Sequence, residues 1–172
     1  MPETTSPETT RQPQWAAASV ATAVGGALMA PASLMSWARY VPALGRQPES
    51  APDIQVSGLG GTLPDGVSYG DWKPAAWTFG VGILLVLAGL LLGIVGPRLR
   101  LMVAGVAAVA AVATLVLVAF CLSNPQLMYG LESGSAGPNL MIASEGGIWW
   151  VFAGAVMAVT GAVSAVGLAR SR

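Results

Sequence analysis

The chain contains no histidine and a single cysteine, Cys121, among its 172 residues. Zinc sites built from Cys and His, haem held by His and catalytic triads with a His base all need side chains that are missing here. One cysteine cannot form a disulfide bond within the chain, and we expect Cys121 to be a small buried apolar group. We therefore predict no metal site, no catalytic residue and no cofactor.

Charged residues are also scarce, at 9% of the chain, whereas a soluble domain has about 25%. Eight basic residues balance eight acidic residues, and 54% of the chain is hydrophobic. This composition is typical of a protein whose main partner is the lipid bilayer. A chain without net charge has no basic field for nucleic acid, so we predict no nucleic-acid partner.

Four apolar stretches are long enough to cross a bilayer, which takes about 20 residues in a helix. They are residues 15–37, 75–96, 99–121 and 148–169. The sequence therefore predicts an all-α membrane protein, a four-transmembrane-helix bundle over 15–172 with outer loops at 38–74 and 122–147.

The first span is the weakest of the four, because Gly25, Gly26 and Pro31 interrupt it and predict a kink near its end. The polar residues 1–14 before it have no apolar surface to bury, and we predict a disordered cytoplasmic leader there. An alternative treats residues 1 to about 38 as a cleaved signal peptide. We favour retention, because the apolar run is long for a signal peptide and its leader is acidic.

Arginine residues set the predicted orientation. Arg98 and Arg100 occupy the short turn between spans two and three, and Arg170 and Arg172 follow the last span. Since cytoplasmic loops carry the excess of basic residues, we place both groups and both termini on the cytoplasmic side of a bacterial plasma membrane. Tryptophans at predicted span ends, Trp37 among them, are typical of the headgroup level.

The glycine-rich segment 55–72 has the look of a phosphate-binding loop but lacks its frame. No GKS or GKT occurs, and Pro64 follows the glycines where a helix would have to begin. We predict no nucleotide partner. The alternation of apolar residues around Asp65 and Gly66 instead predicts a small extracytoplasmic β-hairpin in the first loop, with strands near 53–58 and 66–70.

Small residues at four-residue spacing predict close contacts between helices, since they let backbones approach in lipid. The predicted packing residues are Gly89, Gly93, Gly154, Ala158 and Ala162. The short turn after Gly96 also makes spans two and three antiparallel neighbours.

Acidic and aromatic residues of the two outer loops form a candidate outer contact surface. Its members are Asp65, Asp71, Trp72, Trp77, Tyr129, Glu132, Glu145, Trp149 and Trp150. Paired carboxylates beside aromatic rings can bind sugars or cations or act as acid and base. Our main interpretation is that they are solvated loop acids and an aromatic belt.

The order of parts is a polar leader, a span ending in "MSWARYVP", an outward loop with "VSGLGG" and "PDG", two spans joined by "GPRLR", a short loop and a last span with an arginine tail. This layout resembles small four-span integral membrane proteins of actinobacteria and, more loosely, the membrane protein family associated with tryptophan biosynthesis operons. The resemblance implies location and fold. It implies no site residues, because those families have no established chemistry.

The leading functional hypothesis is a non-enzymatic accessory or scaffold subunit of a cell-envelope complex, bound to another membrane protein or to a second copy of itself. One alternative is a subunit of a small-solute or ion channel or transporter, in which Thr78 and Thr160 would line the path. A second alternative is a membrane enzyme that acts on a lipid-linked substrate at the outer face through acids such as Asp71 or Glu145.

Overall fold

The computed structural model describes residues 7–42, 55–57, 59, 73–124 and 140–170. The helices are α1 (Pro7–Ala32), α2 (Pro74–Ile94), α3 (Pro97–Ser123) and α4 (Gly146–Arg170). The strands are β1 (Ser36–Pro42), β2 (Gln55–Ser57) and β3 (Leu140–Ser144).

The four predicted spans are confirmed as helices that are long and apolar enough to cross a membrane. The bounds of α2, α3 and α4 lie within two residues of the predicted ones. Proline begins both α2 and α3, where its fixed φ suits a first helical turn and its missing N–H is not needed.

The first span differs from its prediction at both ends. Helix α1 already begins at Pro7, so residues 7–14 are helical and not a disordered leader, while residues 1–6 lie outside the described part. Proline is favourable at a first helical position, and polar residues can continue a helix beyond the hydrocarbon region. The helix ends at Ala32 and not at residue 37, because the chain turns directly after Pro31.

Helix α1 is the centre of the packing. It makes extensive contacts with α4 and α2, and α3 completes the bundle between those two helices. The consecutive residues Gly25 and Gly26 permit this: a Cβ at Gly25 would lie 2.6 Å from the Gly154 carbonyl oxygen of α4, and one at Gly26 would collide with the Gly82 carbonyl oxygen of α2. Adjacent glycines therefore bring α1 into backbone contact with two neighbours at once.

The three strands form one antiparallel sheet in the order β2-β1-β3. The predicted hairpin is not confirmed. The strand expected near 53–58 is present as Gln55–Ser57, but its partner is β1, with Arg39 opposite Gln55. The strand expected at 66–70 lies outside the described residues.

The sheet stands at one end of the bundle, where α1 and α3 end and α2 and α4 begin. The turn between α2 and α3 stands at the opposite end. We call these the sheet end and the turn end.

Candidate functional site

Trp37 fixes the sheet to the helices. The register of β1 against β2 shifts between Ser36 and Ala38, so Trp37 is the extra residue of a β-bulge, a feature that redirects a side chain. Its side chain is fully buried, and its indole N–H donates to the Ala32 carbonyl oxygen at 3.1 Å. The bulge thus turns the indole of Trp37 into the core at the sheet end, so this side chain packs against protein atoms and is not exposed on the surface of the bundle.

Gly147 makes room for this arrangement at the first turn of α4. A Cβ on Gly147 would lie 2.6 Å from the Ser36 carbonyl oxygen and 3.0 Å from Cδ1 of Trp37. The missing side chain thus lets β1 lie directly on the start of α4.

Arg39 of β1 and Glu145 form an ion pair, with 2.8 Å between Arg39 Nε and a Glu145 carboxylate oxygen. The Glu145 backbone N–H donates to the Trp37 carbonyl oxygen at 2.8 Å. Glu145 also directly precedes α4, so its carboxylate is close to the positive end of the helix dipole. The central strand β1 and the start of α4 are therefore connected by an ion pair, a backbone hydrogen bond and close packing.

Four members of the candidate outer contact surface lie in the described part: Trp77, Glu145, Trp149 and Trp150. The other five, Asp65, Asp71, Trp72, Tyr129 and Glu132, lie outside it. Chain continuity brings Glu145, Trp149 and Trp150 together at the start of α4, and both indoles are about half exposed. Trp149 packs edge-on against Phe152, with 6.3 Å between ring centroids. Trp77 stands apart on α2.

Trp77 lines an apolar groove of about 680 Å³ between α2 and α3, which we call the α2–α3 groove. Its α2 wall includes Gly80 and Leu84, and its α3 wall includes Gly105 and Val109. A Cβ built on Gly80 or on Gly105 would meet no heavy atom within 4 Å. The sequence did not reveal this groove, because the spacing between two helices depends on what the rest of the bundle packs against them.

The predicted packing residues differ in their surroundings. Gly89 lies against Ala23 of α1, where a Cβ would come within 2.6 Å of the backbone nitrogen. Gly93 is looser, since a Cβ there would meet only Ser19 Oγ at 3.8 Å. Gly154 lies against Gly25 of α1.

Ala158 and Ala162 are fully buried in α4. Other helix glycines that were not among the predicted packing residues also lie in backbone contact with a neighbouring helix, among them Gly25, Gly26, Gly82 and Gly161. The signal was present in α1, where the small residues Ala18, Thr22 and Gly25 recur at helical spacing.

The hydroxyl groups inside the bundle all bond to protein atoms in the described residues. Thr22 and Thr114 donate to the carbonyl oxygens four residues earlier in their own helices. Ser33 Oγ and Thr78 Oγ1 lie 2.7 Å apart and join the end of α1 to the start of α2. Ser19 joins the same two helices by donating to the Gly89 carbonyl oxygen.

The turn end carries the arginines that set the predicted orientation. Arg98 and Arg100 lie in the first turn of α3, and Arg170 is the last residue of α4; Arg172 lies outside the described residues. The Arg100 guanidinium carbon lies 5.2 Å from the ring centre of Trp15, a cation–π contact. Since a helix N-terminus is the positive end of the dipole, helix electrostatics does not account for Arg98 and Arg100 there.

Across the described ranges, no group of three or more His, Cys, Asp or Glu side chains is placed to hold a metal ion. Cys121 is buried near the end of α3.

The four apolar helices and their packing define a multi-pass membrane protein with a four-helix bundle. Comparison with protein-family models, with curated proteins and with solved structures found no match for the chain. The resemblance in layout to small actinobacterial membrane proteins therefore stays a prediction.

Proposed function

We propose that the chain is a non-enzymatic accessory or scaffold subunit of a cell-envelope complex in a bacterial plasma membrane, and that it presents its sheet end to a partner. The observation that carries the proposal is the rigid attachment of the sheet to the bundle. Trp37, the Arg39–Glu145 pair and Gly147 hold β1 against α4. Next to this attachment, Trp149 and Trp150 project half-exposed. Rigid aromatic side chains of this kind are favoured anchors in protein interfaces.

The orientation is part of the proposal: the sheet end lies outside, and both termini lie in the cytoplasm. Support comes from Arg98, Arg100 and Arg170, which share the turn end and fit the positive-inside rule. Single cysteines at Ser57 of β2 and at Gly96 of the turn test this in intact cells with a membrane-impermeant maleimide. We expect labelling at Ser57 and none at Gly96, with the buried Cys121 unreactive. The reverse pattern would overturn the orientation.

Site-specific photocrosslinking in cells tests the scaffold role. In one variant, a photoreactive amino acid replaces Trp150 at the sheet end. In a matched control, it replaces Leu90, an exposed residue of α2 near the turn end. We expect one defined protein adduct from position 150 and diffuse lipid labelling from position 90. If position 150 yields only lipid adducts and the purified chain is strictly monomeric, the scaffold proposal fails.

The channel alternative depends on Thr78 and Thr160, which the structure separates. Thr78 is fully buried and bonded to Ser33, whereas Thr160 is exposed on α4 and donates to the Val156 carbonyl oxygen. A path that uses both would need several copies of the chain. Liposome flux that is lost on Thr78→Val or Thr160→Val would favour this alternative over the scaffold role.

The enzyme alternative depends on Asp71, which lies outside the described residues, and on Glu145. The carboxylate of Glu145 is paired with Arg39. Envelope lipids that change on deletion of the gene, and that Glu145→Gln fails to restore, would favour an enzyme.

A further inference from the structure

On α2 the α2–α3 groove lies in the half of the helix nearest the sheet end, and on α3 it lies around the middle of the helix, from Gly105 to Ala113. Its α2 wall runs from Ala76 to Leu84, which is about 12 Å at a rise of 1.5 Å per residue. Half of a hydrocarbon core is about 15 Å thick. The groove therefore has the depth of one leaflet, and its volume of about 680 Å³ falls within the range of about 300–1,000 Å³ for ligand sites.

The groove ends where the same helix faces carry larger side chains. Toward the turn end, α2 carries Leu87 and Leu91 and α3 carries Met102, in place of Gly80 and Gly105. A transmembrane helix of a partner crosses the full core of about 30 Å, so half of its length would find no groove. A flexible acyl chain of one leaflet fits this shape.

Close helix packing does not explain why the groove contains two glycines. Gly82 and Gly89 on the same helix lie in backbone contact with α1, but Gly80 faces open space, as does Gly105 on α3. A glycine inside a helix lowers helix stability by about 1 kcal/mol relative to alanine. Their effect here is to widen the groove.

The mouth of the groove carries positive charge. Lys73 is exposed and directly precedes α2, and Ala76 and Trp77 of the first turn line the groove. Among the described residues, no side chain caps the first turn of α2, and this turn contains no acidic residue. An ammonium group beside an uncapped helix N-terminus favours an anion. At the headgroup level of a bilayer, this anion is a lipid phosphate.

We propose that the α2–α3 groove binds one acyl chain of an anionic phospholipid from the leaflet at the sheet end, with the lipid phosphate held between Lys73 and the N-terminus of α2. Trp77 borders the chain at the depth where indoles are most stable. The lipid site does not depend on a protein partner at the sheet end, so experiments can support or refute it independently of the scaffold role.

Photolabelling of the full chain in nanodiscs tests the site. The probes are phosphatidylglycerol and phosphatidylcholine that each carry a diazirine in the acyl chain, diluted into unlabelled phosphatidylcholine. We expect mass spectrometry to place the phosphatidylglycerol label on peptides around Gly80 and Val109. The double variant Gly80→Leu with Gly105→Leu should reduce this labelling on the order of tenfold, since the leucines occupy the space of several buried methylene groups.

A matched control is Gly167→Leu, because Gly167 of α4 is also open to its surroundings but lies far along the chain from the groove. It should leave groove labelling unchanged. Lys73→Gln should abolish the preference for phosphatidylglycerol over phosphatidylcholine and leave labelling by phosphatidylcholine intact. Circular dichroism confirms the fold of each variant, and Gly80→Leu alone replaces the double variant if the latter fails to fold.

Three results would overturn the proposal. Uniform labelling of all exposed helix faces, unaffected by the leucines, would mean ordinary bulk lipid. Crosslinks between the grooves of two chains that exclude the probe would assign the groove to a second copy. Labelling that appears only after removal from native membranes would assign it to a partner helix.

Discussion

Replacing Gly25 by alanine should destabilise the bundle, because Gly25 has no room for a methyl group. A Cβ there would lie 2.6 Å from both the Ala158 nitrogen and the Gly154 carbonyl oxygen. These are backbone atoms of α4 and cannot rotate away. Optimal contacts between carbon atoms are about 3.5–4.0 Å, so α1 and α4 must separate by about 1 Å.

The expected magnitude follows from two opposing effects. Overpacking a tight interior costs about 1–3 kcal/mol, whereas alanine is more favourable than glycine in a helix by about 1 kcal/mol. Gly80→Ala is the matched comparison, since it makes the same chemical change at an open site. The difference between the two variants cancels the helix propensity and should be about 1–3 kcal/mol in the free energy of unfolding.

Both variants can be titrated from mild into denaturing detergent and followed by tryptophan fluorescence and circular dichroism. We expect Gly80→Ala to unfold at the same or a higher fraction of denaturing detergent than the wild type, and Gly25→Ala at a clearly lower one. Equal stability of the two variants would refute the close approach of α1 and α4. Gly154→Ala gives a further check, because its effect should not add to that of Gly25→Ala if the two residues share one contact.

Three further predictions can be tested in the same assay. Trp37→Phe removes the indole N–H that donates to the Ala32 carbonyl oxygen, and because this oxygen keeps a second bond from the Met35 N–H, the free energy of unfolding should fall by about 1 kcal/mol. The exposed control Trp149→Phe should leave it unchanged. An equal loss in both variants would contradict the buried position of Trp37. Thr78→Val breaks the hydrogen bond to Ser33 and should lower the free energy of unfolding by about 0.6 kcal/mol, the typical value for hydrogen bonds between membrane helices. Thr160→Val should leave it unchanged. A larger loss in Thr160→Val than in Thr78→Val would argue against the Ser33–Thr78 hydrogen bond. A double-mutant cycle of Arg39→Gln with Glu145→Gln should give a coupling of about 0.2–1 kcal/mol that declines with salt, and a salt-independent coupling would mean that the pair acts through something other than charge.

The helices α2, α3 and α4 could be predicted because a run of about 20 apolar residues without charge permits little else. The end of α1 could not. Pro31 predicts a kink near this end, but the residues after it stay mostly apolar up to Trp37, so the local pattern does not show that the helix stops at Ala32, at a turn that the bulge at Trp37 and the Ser33–Thr78 bond accompany. Such tertiary contacts override local pattern.

The candidate sites were predictable to different degrees. Trp149 and Trp150 are conspicuous in the sequence because they stand at the start of an apolar run. The ion pair of Arg39 with Glu145 joins two distant loops, and no spacing rule connects them. Gly25 and Gly26 look like a weakness of the first helix by propensity in water, but in lipid the same residues permit backbone contact with two neighbouring helices.

The strand order has a consequence for how the protein is made. The central strand β1 leaves the ribosome before α2, whereas β3 follows α3. Until β3 arrives, one edge of β1 is open, and an open strand edge is a template for pairing with another chain. A nascent chain that stalls before residue 140 therefore carries an unfinished sheet, in which the edge of β1 that β3 covers in the finished protein is still unpaired.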